Sequence, residues 1–317
     1  VNYQIDGNTN TQKDRAGLRL LPVSEVMVRE VKVVTSGYAP EFGQTTGLVY
    51  NAITPSGTND FRGAVAYRFR RKPFSAFPFY FQGPRTEARR PDTKVDTITA
   101  ELGGPIVKDK LHFYTGFENT YRDLSAQSVI TITPENAARI GLAAQPAVVP
   151  REQTGRFFIG KVDYQLAANH RLTARSVVFR NDSPNNIGGG LTSMERTTDF
   201  LDAMESSSGQ VVSTFGSRML NELRVQYARR VQSRAGNELS GTGPAINIAG
   251  VGNFGGPIAG ASDAGFGFTQ GIFQVVNNFT YVRGNHSYKF GGDIQIVNDK
   301  RASTLFQLYT FPSIDAY

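Results

Sequence analysis

The chain's 317 residues suffice for two or three ordinary domains or for one large all-β unit. Only 39% are hydrophobic, mean hydropathy is −0.30, and no run approaches the roughly 18 consecutive apolar residues of a membrane helix; this excludes helical spans and leaves open strands that cross by alternation. The lack of Cys excludes disulfides and cysteine-based metal sites, and the net charge of +7 is compatible with anionic partners without naming one.

Val1 is not an initiator Met, and no basic segment followed by an apolar one comes after it, so the sequence reads as a piece of a longer protein. Elements in the first sixty residues are short. Val1–Asn10 predicts a strand running into a polar turn, and Leu20–Arg29 carries a Pro and a possible cap before Val26, Met27 and Val28. Glu30–Thr35 alternates as a strand. The glycine-rich stretch Ser36–Gly47 then leads into an apolar strand at Leu48–Ile53 and a turn at Pro55–Asn59. A unit this small is expected to pack inside or against something larger.

From Phe61 onward one pattern repeats: an alternating run, a tight turn, another alternating run, a long loop. Nine strands are predicted, over residues 61–70, 95–103, 110–122, 155–166, 170–181, 206–215, 220–233, 270–283 and 286–300. Short connections at Gly103–Asp109, Ala167–Asn169, Gly216–Met219 and Gly284–Asn285 alternate with long ones at Arg71–Lys94, Asp123–Thr154, Asp182–Glu205 and Arg234–Thr269. Long loops gathered at one end and short turns at the other are what an outer-membrane β-barrel requires. Strand 286–300 places Tyr288, Phe290, Ile294 and Ile296 opposite Lys289, Asp293 and Gln295. Strand 110–122 places Leu111, Phe113, Phe117 and Tyr121 opposite His112, Glu118 and Arg122. Charge is costly in lipid, so the charged faces are expected to line a wet interior. Strand 170–181 fits least well, because Arg175 and Arg180 fall on opposite faces. A soluble antiparallel sheet with one wet face, such as a carbohydrate-binding sandwich, also alternates and stays as an alternative.

The densest basic runs, Arg68–Lys72 and Arg85–Arg90, fall at a strand end and in a long loop, where they either meet anionic lipopolysaccharide or ligand or are simply solvated. They are not interleaved with aromatics on a recognisable nucleic-acid module, so no nucleic-acid partner is expected. His112, His170 and His286 lack a second ligand at metal-binding spacing, and no metal or other cofactor is expected. Gly250, Gly252 and Gly255 spell GxGxxG, but the Pro and Gly that follow cannot open the helix a dinucleotide site needs. No nucleophile motif or P-loop occurs, and the chain reads as a non-enzyme.

The order IDG (Ile5–Gly7), then VREVKVV (Val28–Val34), then GYAPEFGQTTGLVYNAITPSGTNDFRG (Gly37–Gly63) resembles the C-terminal half of the plug of TonB-dependent outer-membrane transporters. Val31–Val33, Gly37, Phe42, Gly43, Gly47 and Asn51–Thr54 occupy the family's positions. The second block, together with LGGPIVKDKLHFYTGFE (Leu102–Glu118), most resembles the Oar-like subgroup. Lys32 stands where the common pattern has Glu, and Thr35, Ser36 and Gly37 replace its Arg-Gly-Pro, departures that bear on membership of the iron-siderophore branch and not on the plug resemblance. The resemblance implies the end of an α/β plug over residues 1–58 and the first part of a transmembrane barrel over 59–317, with about nine antiparallel strands of about 22. It implies uptake of an extracellular ligand, energised by the TonB complex through an N-terminal segment that lies outside this sequence, and a setting in outer-membrane lipid with lipopolysaccharide. A barrel-anchored structural or adhesive surface protein is the alternative. Residues expected at the ligand are Tyr38 and Phe42 in the plug turn and Phe74, Phe79, Tyr80 and Arg85 in the first long loop; Phe74–Phe81 equally suits an aromatic girdle at the membrane boundary.

Overall fold

The computed structural model describes residues 1–13, 18–37, 41–43, 45, 47–77, 83–87, 90, 92–240, 243–256, 266–303 and 307–317. Four short strands come first: β1 (Asn2–Ile5), β2 (Asn8–Thr9), β3 (Glu30–Val34) and β4 (Val49–Ile53), in the order β2-β1-β4-β3. β1 runs parallel to β4, with Asn2 opposite Val49, and antiparallel to β2 across a turn at Asp6 and Gly7. Both turn residues have positive φ (49° and 76°), as a two-residue hairpin demands. Gly7 is also a steric necessity, because a Cβ there would overlap the Arg224 guanidinium. The capped segment expected near Leu20–Arg29 forms only a 3-10 turn, Glu25–Met27; the Ser24 hydroxyl donates to Glu118 instead of capping it.

The rest of the chain supplies β5 (Arg62–Arg70), β6 (Lys94–Val107), β7 (Leu111–Asp123), β8 (Glu152–Ala167), β9 (His170–Ser183), β10 (Thr198–Phe215), β11 (Met219–Gly236), β12 (Ala245–Ile248), β13 (Gly252–Gly255), β14 (Phe266–Arg283), β15 (His286–Ser303) and β16 (Leu308–Phe311). Nine of these form one sheet, β15-β14-β11-β10-β9-β8-β7-β6-β5, in which every neighbouring pair is antiparallel. All nine predicted strands are present and several are longer than expected. β6 continues to Val107, so its turn shrinks to residues 108–110, and β10 begins at Thr198 rather than near 206. The long connections all leave one end of this wall. Three chain segments at that end build a smaller sheet, β13-β12-β16, and the helix α1 (Pro134–Arg139) packs beside it. The GxGxxG stretch is the β12–β13 hairpin and opens no helix.

The wall wraps the first sheet with one face. Ile5, Leu21, Val26 and Met27 are buried against Tyr114, Phe157, Ile159, Val177 and Met204 of β7–β10. Gly116 faces this contact, where a Cβ would crowd Val26 and Ile159. A smaller cluster joins Leu20 to Ala228 and Ile272 on β11 and β14. The opposite face of the wall exposes large apolar side chains such as Phe158, Val178, Tyr227, Phe290 and Ile294. An exposed band of this kind, backed by a polar interior, is the inverse of a soluble sheet and is what lipid contact selects. Above the wall, the long connections have cores of their own: Ile130, Ile132, Ala137 and Val149 in one, Ile140, Ile248 and Phe254 in another.

Candidate functional site

Two polar constructions hold the first sheet against the wall, and a pair of cavities flanks it. The first centres on Asp6 in the β1–β2 turn. Its Oδ1 accepts from the Thr54 amide at 2.8 Å, and its Oδ2 accepts from the Thr54 hydroxyl at 2.7 Å and from Arg175 Nη1 at 2.7 Å. Lys161 Nζ donates to the Thr54 hydroxyl oxygen at 3.0 Å and to its carbonyl at 3.3 Å. Thr54 follows β4 directly, so two barrel cations grip the point where the chain leaves the first sheet. Arg175 is only 3% exposed, and its Nε and Nη2 have no hydrogen-bond partner among the described residues. Burial alone would raise the Asp6 carboxyl. The charges of Arg175 and Lys161 and the Thr54 hydrogen bonds outweigh it and hold Asp6 below the ordinary carboxylate range.

The second construction is a set of glutamines on the inner face of β11 and β14. Gln274 Oε1 accepts from the Thr9 amide at 2.8 Å, Gln270 Oε1 accepts from the Lys13 amide at 3.0 Å, and Gln226 Nε2 donates to the Thr9 carbonyl at 2.8 Å. Asp293 on β15 accepts from Gln274 Nε2 at 3.0 Å, which turns the amide oxygen toward Thr9. β2 is the edge of its sheet, and these side chains satisfy the backbone groups that a neighbouring strand would otherwise pair. Arg230 completes the row. It chelates Asp202 at 3.1 and 3.0 Å and donates to Gln12 Oε1 at 2.6 Å and the Arg19 carbonyl at 3.3 Å.

The two cavities lie on either side of this segment. One of about 610 Å³ faces the long loops, between Leu18–Ser24 and the upper inner wall. Its lining is amphipathic: Phe157, Phe179 and Phe200 alternate with Glu118, Arg122 and the Arg230–Asp202 pair. Arg122 has no hydrogen bond or ion pair among the described residues, and Arg19 lies 5.9 Å from the Tyr3 ring centre. The other cavity, of about 760 Å³, lies toward the short turns between β1, β4 and the lower parts of β11, β14 and β15. It is lined mainly by amides and charges, including Asn51, Arg224 and Asp293.

The residues expected at the ligand do not converge. Phe42 lines the lower cavity, beside the Glu41–Lys289 ion pair. Phe74 is 76% exposed and sits edge-on to Phe69, which stacks on Tyr67, so it extends the aromatic row on the outward face of β5. Arg85 is exposed. Tyr38, Phe79 and Tyr80 lie outside the described residues. The basic runs are largely engaged within the molecule: Arg68 pairs with Glu25, Arg71 with Asp96, and Arg90 with Glu87. Among the described residues no group of three His, Asp or Glu is placed to hold a metal ion; His112 and His170 bond Asn59 and Ser213 near the short turns. The inward residues that shape the upper cavity were missed as a site because seven separate segments contribute to it. The readable signal was the charge placed on predicted interior faces, notably Glu118 and Arg122.

A family model described as "Outer membrane beta barrel domain" matches residues 53–155 and 143–313. The chain belongs to the outer-membrane β-barrel family. The match covers every strand of the nine-stranded wall, so the exposed apolar band is its lipid face and the short turns mark the periplasmic end. This outer-membrane barrel chain is 30% identical over 208 residues to the TonB-dependent transporter Oar of Myxococcus xanthus, a stretch covering 59% of this chain and 18% of that protein. Its fold matches the outer membrane transporter YddB from Escherichia coli with a TM-score of 0.66 at 12% identity, covering 94% of this chain and 40% of that one. The siderophore receptor PirA from Acinetobacter baumannii matches with a TM-score of 0.58 at 13% identity, covering 95% and 40%. The chain thus spans less than half the length of the relatives it matches. The likeness to solved structures carries the fold: an inner sheet seated within an antiparallel wall.

Proposed function

We propose that residues 1–58 are the end of a plug and residues 59–317 the first part of the barrel of a TonB-dependent transporter or receptor of the Oar type. The observation that carries this reading is the seat of the inner sheet. Beside its apolar contact with β7–β10, it is held through buried charges and side-chain amides, and cavities lie above and below it. Hydrogen bonds that exchange with water contribute only about 0.5–1.5 kcal/mol each, so the amide-held side of the seat can be released and remade. A permanent stopper would need no such arrangement. In this reading an extracellular ligand is captured in the upper cavity, with Arg122, Arg19 and the phenylalanines as its wall. Arg85 and the Tyr38–Phe42 turn remain candidates for further contacts, while Phe74 belongs to the outer aromatic row. TonB then acts through a more N-terminal segment to shift the plug.

The test is to place a Cys at Thr9 in the full-length protein and follow its labelling by a maleimide in living cells. Labelling that rises in energised cells carrying TonB, and stays low in cells lacking it, supports energised uptake. Equal labelling in both strains supports the second reading, a barrel-anchored surface protein. The specific observation in favour of that second reading is the folded cap, whose clusters around Ile130 and Ile248 give the loops a core of their own.

A further inference from the structure

On β8 and β9 the outward face of the wall changes chemistry at one level. The last large apolar residues toward the extracellular side of these strands are Phe158 and Val178, directly opposite each other. The next outward residue on each is an arginine, Arg156 on β8 and Arg180 on β9. Arg180 is ten residues along β9 from His170. At about 3.3 Å per residue and a tilt near 40°, that is about 25 Å above the periplasmic turns, the height of the apolar band of a barrel. These guanidinium groups therefore stand at the headgroup level of the extracellular leaflet.

The two stand side by side. Arg156 is directly opposite Arg180 in the β8–β9 register, and its other cross-strand neighbour is Asn119 on β7. Like charges directly opposite each other destabilise a sheet. Asp182 answers part of that repulsion by binding Arg180 Nε and Nη2 at 2.9–3.2 Å. Nothing answers Arg156, which has no hydrogen bond or ion pair among the described residues. The nearby acids are directed elsewhere: Glu205 stands opposite Arg229, and Glu152 is bonded by Tyr121. The row Asn119, Arg156, Arg180 thus offers unspent donors, about 5 Å apart from strand to strand, directly above apolar side chains.

We propose that Arg156 and Arg180, with Asn119 beside them, bind the phosphate of a phosphorylated lipid of the extracellular leaflet. Guanidinium groups bind phosphate oxygens in pairs, and one phosphate between them removes the repulsion that the sheet otherwise carries. The acyl chains lie along Phe158 and Val178. Sequence runs cannot disclose this site, since its residues are far apart in the chain and meet only across strands. The assignment rests on the outer-membrane setting and is independent of transport.

The experiment uses the full-length protein purified from outer membranes in mild detergent and stripped of lipid. Retention of a bis-phosphorylated lipid A is measured by native mass spectrometry, against its dephosphorylated form. The variants are R156Q, R180Q, the double variant, and R218Q, exposed in the short β10–β11 turn, as a control; heat-modifiable gel migration confirms that each is folded. The expected result is selective retention of the phosphorylated lipid, reduced about tenfold in the double variant and unchanged in R218Q. Equal retention in wild type and double variant, or equal loss in R218Q, overturns the site. Displacement of the lipid by an equal concentration of inorganic phosphate shows a free-anion site and overturns the lipid assignment.

Discussion

Replacing Asp6 with Asn in the full-length protein keeps the side chain's shape and the acceptor for the Thr54 amide but removes the charge that faces Arg175. Arg175 is then a buried cation with no carboxylate partner, and its Nε and Nη2 are already without partners. Breaking a buried ion pair from one side costs about 3–5 kcal/mol. Lys161 worsens the balance, since the same acid also offsets its charge. Taking the lower figure, the inner sheet should open about 150-fold more often, since each 1.4 kcal/mol is tenfold. The assay is native-state hydrogen exchange at the Thr54 amide, which donates directly to Asp6. Loss of about two orders of magnitude in protection is expected there, with little change at β12 and β13 in the cap. Arg175→Met should be similarly costly alone, and the double variant much less than additive, because an apolar replacement of both partners removes the stranded charge. Unchanged protection in Asp6→Asn, or strictly additive single effects, would refute the argument. The pH dependence has a definite sign. Folding lowers the Asp6 pKa below its ordinary 3.8, so this contribution is complete above about pH 4 and is lost as pH falls through the depressed value. Protection at Thr54 should be flat from pH 5 to 8 and decline only in stronger acid.

Three further outcomes follow from the same geometry. Gly7→Ala forces a side chain into positive φ and displaces the Arg224 guanidinium, so thermal unfolding should show a loss of about 1–2 kcal/mol; no shift would mean that the turn relaxes freely. Gln274→Leu leaves the buried Thr9 amide without an acceptor, and the free energy of opening read by exchange at Thr9 should fall by about 1–3 kcal/mol while Arg175 and Thr54 stay protected. The 317-residue chain expressed as it stands has β5 and β15 as unpaired edges and should require detergent; a monodisperse, cooperatively melting sample in plain buffer would contradict the lipid-facing assignment.

Much of the wall is legible in the sequence because lipid on one side and water on the other impose a period of two. The signal fails where that contrast ends. β10 starts at Thr198, but its outward row mixes Asp199 and Glu205 with Leu201 and Ala203 while Phe200, Asp202 and Met204 face inward, so no apolar/polar alternation marks the strand above Ser206. Arg175 and Arg180 made β9 look irregular, yet each obeys the pattern: Arg175 faces the Asp6 carboxylate inside, and Arg180 stands above the apolar band outside. The sheet β13-β12-β16 is not legible because its strands are four residues long and two of them pair across sixty residues of chain. The seat of the inner sheet depends on glutamines. A Gln on a wet strand face looks like any other polar residue until the backbone it serves is in place.

That seat is uneven, and the unevenness predicts where it yields. On β7–β10 the inner sheet is fixed by Ile5, Leu21, Val26 and Met27 packed on Tyr114, Phe157, Ile159, Val177 and Met204. At about 1.5–3 kcal/mol per fully buried side chain, the four inner residues alone contribute roughly 6–12 kcal/mol. On β11 and β14 the segment from Thr9 to Lys13 is held by three glutamine hydrogen bonds and the Arg230–Gln12 bond, roughly 3–7 kcal/mol in all, and a cavity of about 760 Å³ lies below it. The glutamine side should therefore open first, with β1 and β4 pivoting on the apolar side. In hydrogen exchange under increasing denaturant, the amides of Thr9 and Lys13 should exchange through an opening of lower free energy than those of Ile5 and Ala52. Merging of both sets into one isotherm from the start would show that the inner sheet leaves the wall as a single body, and the pivot would have no basis.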